Sequence, residues 1–107
     1  MAYDECLAER VRAGLSAVTW REVKMFGGLS FLVEEKMVVS VRGRGGLLVR
    51  CDPDQVEELL GRDGATRAEM RGRPMKEGWL HVDDAGLDDD GIARWLEAAL
   101  VYNRTLG

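Results

Sequence analysis

The chain has 107 residues, a formal net charge of −4 and a hydrophobic content of 46%. This length suits one domain around one hydrophobic core, so we predict a single domain spanning residues 1–107. A hydrophobic fraction of this size, with only two prolines, excludes a disordered or collagen-like chain. The negative charge disfavours generic nucleic-acid binding, because that affinity comes mainly from neutralising phosphates with a positive protein surface.

The N-terminal segment predicts a helix and carries no targeting signal. Between Tyr3 and Val18 apolar residues recur at three- and four-residue steps, and Gly14 is expected to let this amphipathic helix pack closely on a sheet. The segment lacks the basic region and apolar core of a secretory signal, and no apolar run reaches the ~18 residues of a membrane span. We therefore expect a cytoplasmic protein. Cys6 and Cys51 form no C-x-x-C pair and are expected to stay reduced.

Strand-like alternation is sustained only from Lys24 to Cys51, and it predicts three or four consecutive antiparallel strands. The face expected to be buried carries Leu29, Phe31, Val33, Met37, Val39, Val41, Leu47, Val49 and Cys51. Gly27-Gly28 predicts a sharp reversal after a short first strand, and residues 43–46 predict a hairpin loop with Arg44 at its tip. Glu34-Glu35 is unsuited to a tight turn, so we expect a bulge or a longer loop there.

The second half of the chain predicts a short helix, an irregular segment, a strand and a long helix. Asp52 caps the short helix, and residues 62–78 are irregular except for one short strand around residues 68–71. Trp79 to Asp83 forms the last strand, and Asp88 or Asp89 caps a helix that runs to the end. We therefore predict an α+β fold, with an antiparallel sheet of about five strands covered by helices in the order α-β-β-β-β-α-β-β-α.

The sequence offers no recognisable catalytic constellation. His81 is the only histidine, and no nucleophile motif accompanies it. The acidic run matches part of the spacing of an EF-hand loop, but Gly86 stands where the first calcium ligand belongs. We therefore predict no catalytic residue, no metal site and no cofactor.

Several short motifs occur together in this chain. They are Lys24-Met25-Phe26-Gly27-Gly28, Lys36-Met37, Leu47-Leu48-Val49-Arg50, Gly72-Arg73-Pro74-Met75-Lys76 and Gly78-Trp79. With the C-terminal helix, this combination resembles the TfoX/Sxy N-terminal domain family over about residues 15 to 106. Glu77 departs from the family pattern, because it separates Lys76 from Gly78.

The resemblance implies a two-layer, secretion-chaperone-like architecture in which related proteins often dimerise. It also implies an association with regulators of natural competence and transcription, whose longer members carry a C-terminal domain after this one. It implies no catalytic residue, and fold alone does not supply a function.

The leading hypothesis is a non-enzymatic regulatory or protein-interaction module whose partner is another protein or a second copy. The candidate contact surface consists of Arg42, Arg44, Arg71, Arg73, Lys76 and Trp79. Met75 and Trp79 are expected to anchor the loop that follows Arg71, leaving its cations outward or paired with carboxylates.

Two other function classes stay open. A nucleic-acid or anion-binding domain requires these cations, together with Arg67, to converge on one face. A small ligand-binding protein or enzyme requires a pocket where His81 and Trp79 meet an arginine.

Overall fold

Helices cover one face of an antiparallel sheet. The computed structural model describes residues 3–25, 27–70 and 72–106. The helices are α1 (Glu5–Gly14), α2 (Val56–Leu59) and α3 (Asp89–Leu106), and the strands are β1 (Arg21–Met25), β2 (Gly28–Val33), β3 (Lys36–Val41), β4 (Leu47–Arg50), β5 (Ala65–Arg67), β6 (Glu69–Met70), β7 (Arg73–Pro74) and β8 (Trp79–Val82). This order confirms the α+β class. The segment between α2 and β8 holds three short strands, where the sequence predicted one.

Six strands form the main sheet in the order β1-β2-β3-β4-β8-β5. Every neighbouring pair is antiparallel, so the first four strands form the predicted meander and β8 returns beside β4. The strands β6 and β7 form a separate two-stranded ribbon. The sheet is therefore one strand larger than predicted, because β5 adds an edge on the far side of β8.

The core lies between this sheet and the helices. From the sheet it takes Leu29, Phe31, Val33, Val38, Val39, Val41, Leu47, Val49, Leu80 and Val82, and it includes Cys51 directly after β4. Eight of the nine residues predicted for the buried face of the meander belong to this set, and Met37 does not. The reason is a register shift between Phe31 and Leu32, which inserts Val38 into the core and pairs Met37 with Leu32 instead.

The connection between β2 and β3 is a two-residue turn. Val33 pairs with Lys36, and the two residues between them, Glu34 and Glu35, have φ angles of 55° and 64°. Positive φ at both positions matches the right-handed twist of the flanking strands, although it costs about 1–2 kcal/mol per non-glycine residue. The predicted bulge is therefore present within the strands, but the longer loop is not. An ion pair of 2.7 Å between Arg21 Nη2 and Glu35 Oε2 links this turn to β1.

Close packing at Gly14 joins two helices and not, as predicted, a helix and the sheet. A Cβ atom at Gly14 would overlap Leu96 Cδ1 of α3. Nearby, Arg10 Nη2 donates a hydrogen bond of 2.7 Å to the carbonyl oxygen of Leu87, just before α3 begins. The two helices therefore cover the sheet as a packed pair.

Side-chain hydrogen bonds hold both ends of α3 in place. Asp88 Oδ1 accepts a hydrogen bond of 2.7 Å from the backbone N–H of Gly91, which confirms Asp88 as the predicted cap. Near the other end, the buried Asn103 donates its Nδ2 to the carbonyl oxygen of Val33 at 3.0 Å. Over the described ranges, neither this helix nor the shorter ones combine the length and apolar content that crossing a bilayer requires.

A bidentate ion pair fastens the edge strand β1 to α1. Arg12 Nε and Nη2 donate to the two carboxylate oxygens of Glu22 at 2.7 and 2.9 Å, and Trp20 Nε1 donates to the same carboxylate at 3.0 Å. The hydrogen bond from Arg12 is the main cause of the lowered pKa of Glu22, and the contact with Trp20 adds to it. The negative form of Glu22 is therefore favoured in the folded chain.

We predict that Glu22→Gln lowers stability at neutral pH and not in acid. A carboxyl whose folded pKa is depressed stabilises the fold above its unfolded pKa of about 4.3 and loses that contribution as pH falls through the lower folded value. The expected loss at pH 7 is about 1 kcal/mol, because the pair is partly screened by solvent. Urea melts from pH 7 to pH 3 check this. A constant difference between variant and parent at every pH would contradict the assignment.

Candidate functional site

The sheet face opposite the helices is only partly covered. One row of paired residues crosses this face from edge to edge and consists of Val23, Ser30, Ser40, Leu48, His81 and Thr66. The row alternates with the core residues, so its side chains point away from the helices. Leu48 is nevertheless buried without belonging to the main core, and the Ser30 hydroxyl donates to Ser40 Oγ at 3.0 Å in a buried position. Other parts of the chain must therefore shield this face.

The segment that follows β5 reaches this side of the sheet. The backbone N–H of Ala68 donates to the carbonyl oxygen of Trp79, and that of Met75 donates to the carbonyl oxygen of Ala68. Between these contacts the chain forms the β6–β7 ribbon. Arg42 Nη2, from the end of β3, donates a hydrogen bond of 2.7 Å to the carbonyl oxygen of Glu69 in the ribbon. The ribbon therefore lies against the same end of the sheet as the loop at residues 43–46.

An open cleft of about 1560 Å³ separates the ribbon from that loop. Arg42, Arg44 and His81 line it together with Met70 and Asp83. Arg44 is exposed on the predicted hairpin loop, whereas Arg42 and His81 are half-buried. We call this hollow the outer cleft.

Arg42 and His81 form the floor of the outer cleft. Arg42 Nη1 lies 3.3 Å from His81 Nδ1, and because a guanidinium only donates, Nδ1 accepts and the ring proton sits on Nε2. Burial lowers the pKa of His81, the charge of Arg42 lowers it further, and Asp83 opposes the shift. A Cβ atom at Gly46 would lie 2.8 Å from His81 Nε2, so the ring packs closely on that glycine. His81 is thus a neutral support for Arg42, with Nδ1 facing the guanidinium.

Only some of the predicted contact residues meet. Arg42 and Arg44 share the outer cleft. Arg73 lies exposed in β7, within the ribbon that borders the cleft, and Lys76 is exposed after it. Arg71 lies outside the described residues. The predicted surface therefore divides into a pair of arginines in the cleft and separate cations on the adjoining segment.

Trp79 lies on the strand that carries His81 but does not line the outer cleft. Its ring is half-buried, and the Arg50 guanidinium carbon lies 5.4 Å from its centroid and 5.8 Å from that of Tyr102. Met75 is also half-buried. Both side chains therefore pack on the protein. The predicted pocket is present in part, because His81 meets Arg42 and Arg44 in the outer cleft and Trp79 does not line it.

The arginines do not converge on one positive face. Arg67 forms ion pairs with Glu57, at 2.7 Å, and with Glu77, and is thereby neutralised. Asp83 and Asp84 line the outer cleft beside its two arginines. The cleft therefore has mixed charge, which disfavours the uniform phosphate contacts of a nucleic-acid surface.

Sequence reasoning missed the contribution of the ribbon to this site. Glu69 fixes Arg42 through its backbone carbonyl, and a carbonyl carries no sequence signal. Met70 lines the cleft from a strand of only two residues, which is too short to show alternation. The glycines on either side of Pro74 were the available signal, since they predicted a shaped loop at this position.

Comparison with known proteins gives one positive result. A family model described as the TfoX N-terminal domain matches residues 13–101 of the chain. This range contains every strand of the main sheet, the ribbon and most of α3. Searches of curated proteins and of solved structures give no match.

Proposed function

Because the chain belongs to the TfoX N-terminal domain family, we propose that it acts as a non-enzymatic regulatory module that binds a protein partner in the outer cleft. The observation that carries this proposal is the state of Arg42. Its guanidinium is held by a backbone carbonyl and a neutral imidazole, and no carboxylate in the described ranges forms an ion pair with it. A cation fixed in this way is positioned to donate hydrogen bonds to a carboxylate or carbonyl group of another molecule.

The dimensions of the outer cleft favour a segment of a protein over a small molecule. Small-molecule pockets usually measure about 300–1,000 Å³, and they enclose most of the ligand surface. The outer cleft is larger, at about 1560 Å³, and open to solvent. Arg42 and Arg44 on one side and Asp83 and Asp84 on the other suit a partner segment that carries both signs of charge.

The environment of His81 supports a binding role in preference to catalysis. A general base needs a free nitrogen within hydrogen-bond reach of a substrate proton. Here the lone pair of Nδ1 accepts from Arg42, and Nε2 carries the ring proton, so neither nitrogen is free to act as a base. His81 therefore contributes by holding Arg42 in position.

The proposal also covers where the domain works and what kind of partner it binds. We infer that the domain works in the cytoplasm and in the regulation of competence or transcription, as the family association suggests. Its partner is another regulatory protein or a second copy of this chain. Duplex nucleic acid is the disfavoured alternative, because the cleft has mixed charge and the chain is acidic overall.

We predict that Arg42→Ala weakens partner binding by ten- to a hundredfold. Hydrogen bonds to a charged group contribute about 1.5–3 kcal/mol, and each 1.4 kcal/mol corresponds to a factor of ten in affinity. The measurement is copurification of the tagged parent chain from cell extract, followed by titration of the purified partner against each variant. Arg44→Glu serves as a second cleft variant, because its exposed side chain is not needed for folding.

Arg104→Glu is the matched control, since Arg104 is exposed near the end of α3 and does not line the outer cleft. It should bind like the parent. Equal partner affinity of the parent and both cleft variants would contradict the proposed contact. Salt-dependent binding of duplex DNA that both cleft variants abolish would favour the nucleic-acid alternative, and turnover of a metabolite by the purified chain would contradict the non-enzymatic role.

A further inference from the structure

A second hollow lies beside α3 and shares no lining residue with the outer cleft. Its volume is about 270 Å³, and its walls include Arg62 from the segment after α2 and Arg94 and Val101 from α3. Val101 is 51% exposed and is the one exposed large hydrophobic residue in the described part of the chain. We call this hollow the α3 pocket. It combines charged walls with an exposed apolar surface.

Arg62 stacks on an aromatic ring at this pocket and has a buried nitrogen without a hydrogen-bond partner. Its guanidinium carbon lies 4.9 Å from the centroid of the Trp95 ring, and Trp95 is a nearly fully buried platform. Arg62 Nη1 is buried from solvent without a hydrogen-bond partner, and no carboxylate within the described ranges forms an ion pair with this side chain. The guanidinium is therefore partly desolvated, and among the described residues only stacking on Trp95 contacts its charge directly.

We propose that the α3 pocket binds a small organic carboxylate through Arg62. Stacking on Trp95 fixes the plane of the guanidinium, and a fixed planar fork matches the geometry of a carboxylate. Arg94 adds a second cation on the wall, and Val101 offers contact to an apolar tail. The ligand class is a monocarboxylate with a short aliphatic chain or one aromatic ring.

The acidic residues of the pocket limit the charge of this ligand. Asp52 and Glu97 also line the wall, so the formal charges of Arg62, Arg94, Asp52 and Glu97 cancel. Asp52 Oδ1 is already engaged, because it accepts a hydrogen bond of 2.9 Å from the backbone N–H of Asp54. A single carboxylate that pairs with Arg62 is accommodated, whereas a polyanion is repelled by the two acids.

The volume of the pocket limits the size of the ligand. Water takes about 30 Å³ per molecule in the liquid, so a space of about 270 Å³ holds roughly nine. A ligand of about ten non-hydrogen atoms therefore fits, and fragments of that size commonly bind at millimolar to micromolar concentration. Benzoate is a suitable probe, and benzamide is its neutral isostere.

The test is a titration of the full chain with benzoate and with benzamide, followed by NMR at the Trp95 indole N–H. Ionic strength is held constant with chloride so that general screening does not change. We expect a saturable shift with benzoate up to about 50 mM, at least tenfold weaker binding of benzamide, and at least tenfold weaker benzoate binding by Arg62→Gln. Trp20 and Trp79 provide internal references, because neither lines the α3 pocket.

Further variants keep the proposal testable if Arg62→Gln folds poorly. Arg94 is exposed, so Arg94→Gln should fold normally and weaken benzoate binding about threefold or more. Arg104→Gln, on the same helix but outside the pocket, should leave binding unchanged. Equal affinity for benzoate and benzamide, no saturable shift at Trp95, or parental benzoate affinity in both pocket variants would overturn the proposal.

Discussion

Trp95→Ala is expected to lower the free energy of unfolding by about 3–5 kcal/mol, the range for truncating a large aromatic residue in a core. Trp95 is 1% exposed and belongs to the main core between α3 and the sheet. Its truncation leaves a cavity that the packed helix pair cannot close, and it removes the ring on which Arg62 stacks. The loss of that stacking adds about 0.5–1 kcal/mol at a partly exposed site.

Denaturant melts of three variants test this expectation. Val101→Ala, in the same helix α3, is the control, because its exposed side chain should change stability by less than about 0.5 kcal/mol. Trp79→Ala should fall between the two, since its ring is only half-buried. The sequence predicted Trp79 as an anchor of the loop that follows Arg71, whereas in the structure Trp95 is the more deeply buried of the two rings. A loss at Trp95 no larger than at Trp79 would contradict this ranking.

Features that depend on neighbouring residues could be predicted from the sequence. The alternation of Leu29, Phe31 and Val33 identifies a buried face because successive strand residues point to opposite sides. Caps depend on a few adjacent residues in the same way. Asp52 and Asp88 were predicted as caps, and each accepts a hydrogen bond from a backbone N–H two or three residues later. Such contacts cost little chain entropy, so their residue patterns carry most of the information.

Features that depend on distant pairing could not be predicted. His81 meets Arg42 across 39 positions, because β8 joins the sheet beside β4 after the whole ribbon has intervened. No spacing rule connects these two residues. The same holds for Arg67, which the sequence grouped with the surface cations and which Glu57 and Glu77 neutralise. Composition identified the cations, but only the fold shows which of them remain available for a partner.

The tight turn at Glu34 and Glu35 shows how tertiary pairing overrides a local preference. Isolated glutamates avoid positive φ, so the sequence favoured a bulge or a longer connection. The paired β2 and β3 impose the two-residue turn, and the extra residue is taken up at Val38 inside the strand. Because Val38 is almost completely buried, its added core contact offsets part of the strain in the turn.

Gly46→Ala is expected to destabilise the chain by about 2–4 kcal/mol, and Gly45→Ala by only about 1–2 kcal/mol. The two glycines are neighbours in the same hairpin loop, and both have positive φ angles, of 83° at Gly46 and 98° at Gly45. Each alanine therefore carries a similar conformational cost. They differ in their surroundings, because nothing lies within 4 Å of a Cβ atom at Gly45. A Cβ at Gly46 would overlap the His81 ring and lie 2.9 Å from the carbonyl oxygen of Val82.

The comparison therefore isolates the packing of His81 on the loop. To admit the methyl group of the Gly46→Ala variant the ring must move, and that movement breaks its contact with Arg42 on the floor of the outer cleft. Urea melts should show that Gly46→Ala loses more free energy of unfolding than Gly45→Ala does. In a His81→Ala background the difference between the two variants should shrink, because the ring no longer clashes with the added methyl group. The clash with the Val82 carbonyl would remain. Equal losses at Gly45 and Gly46 would show that His81 is not packed there, and the support it provides for Arg42 would then need another explanation.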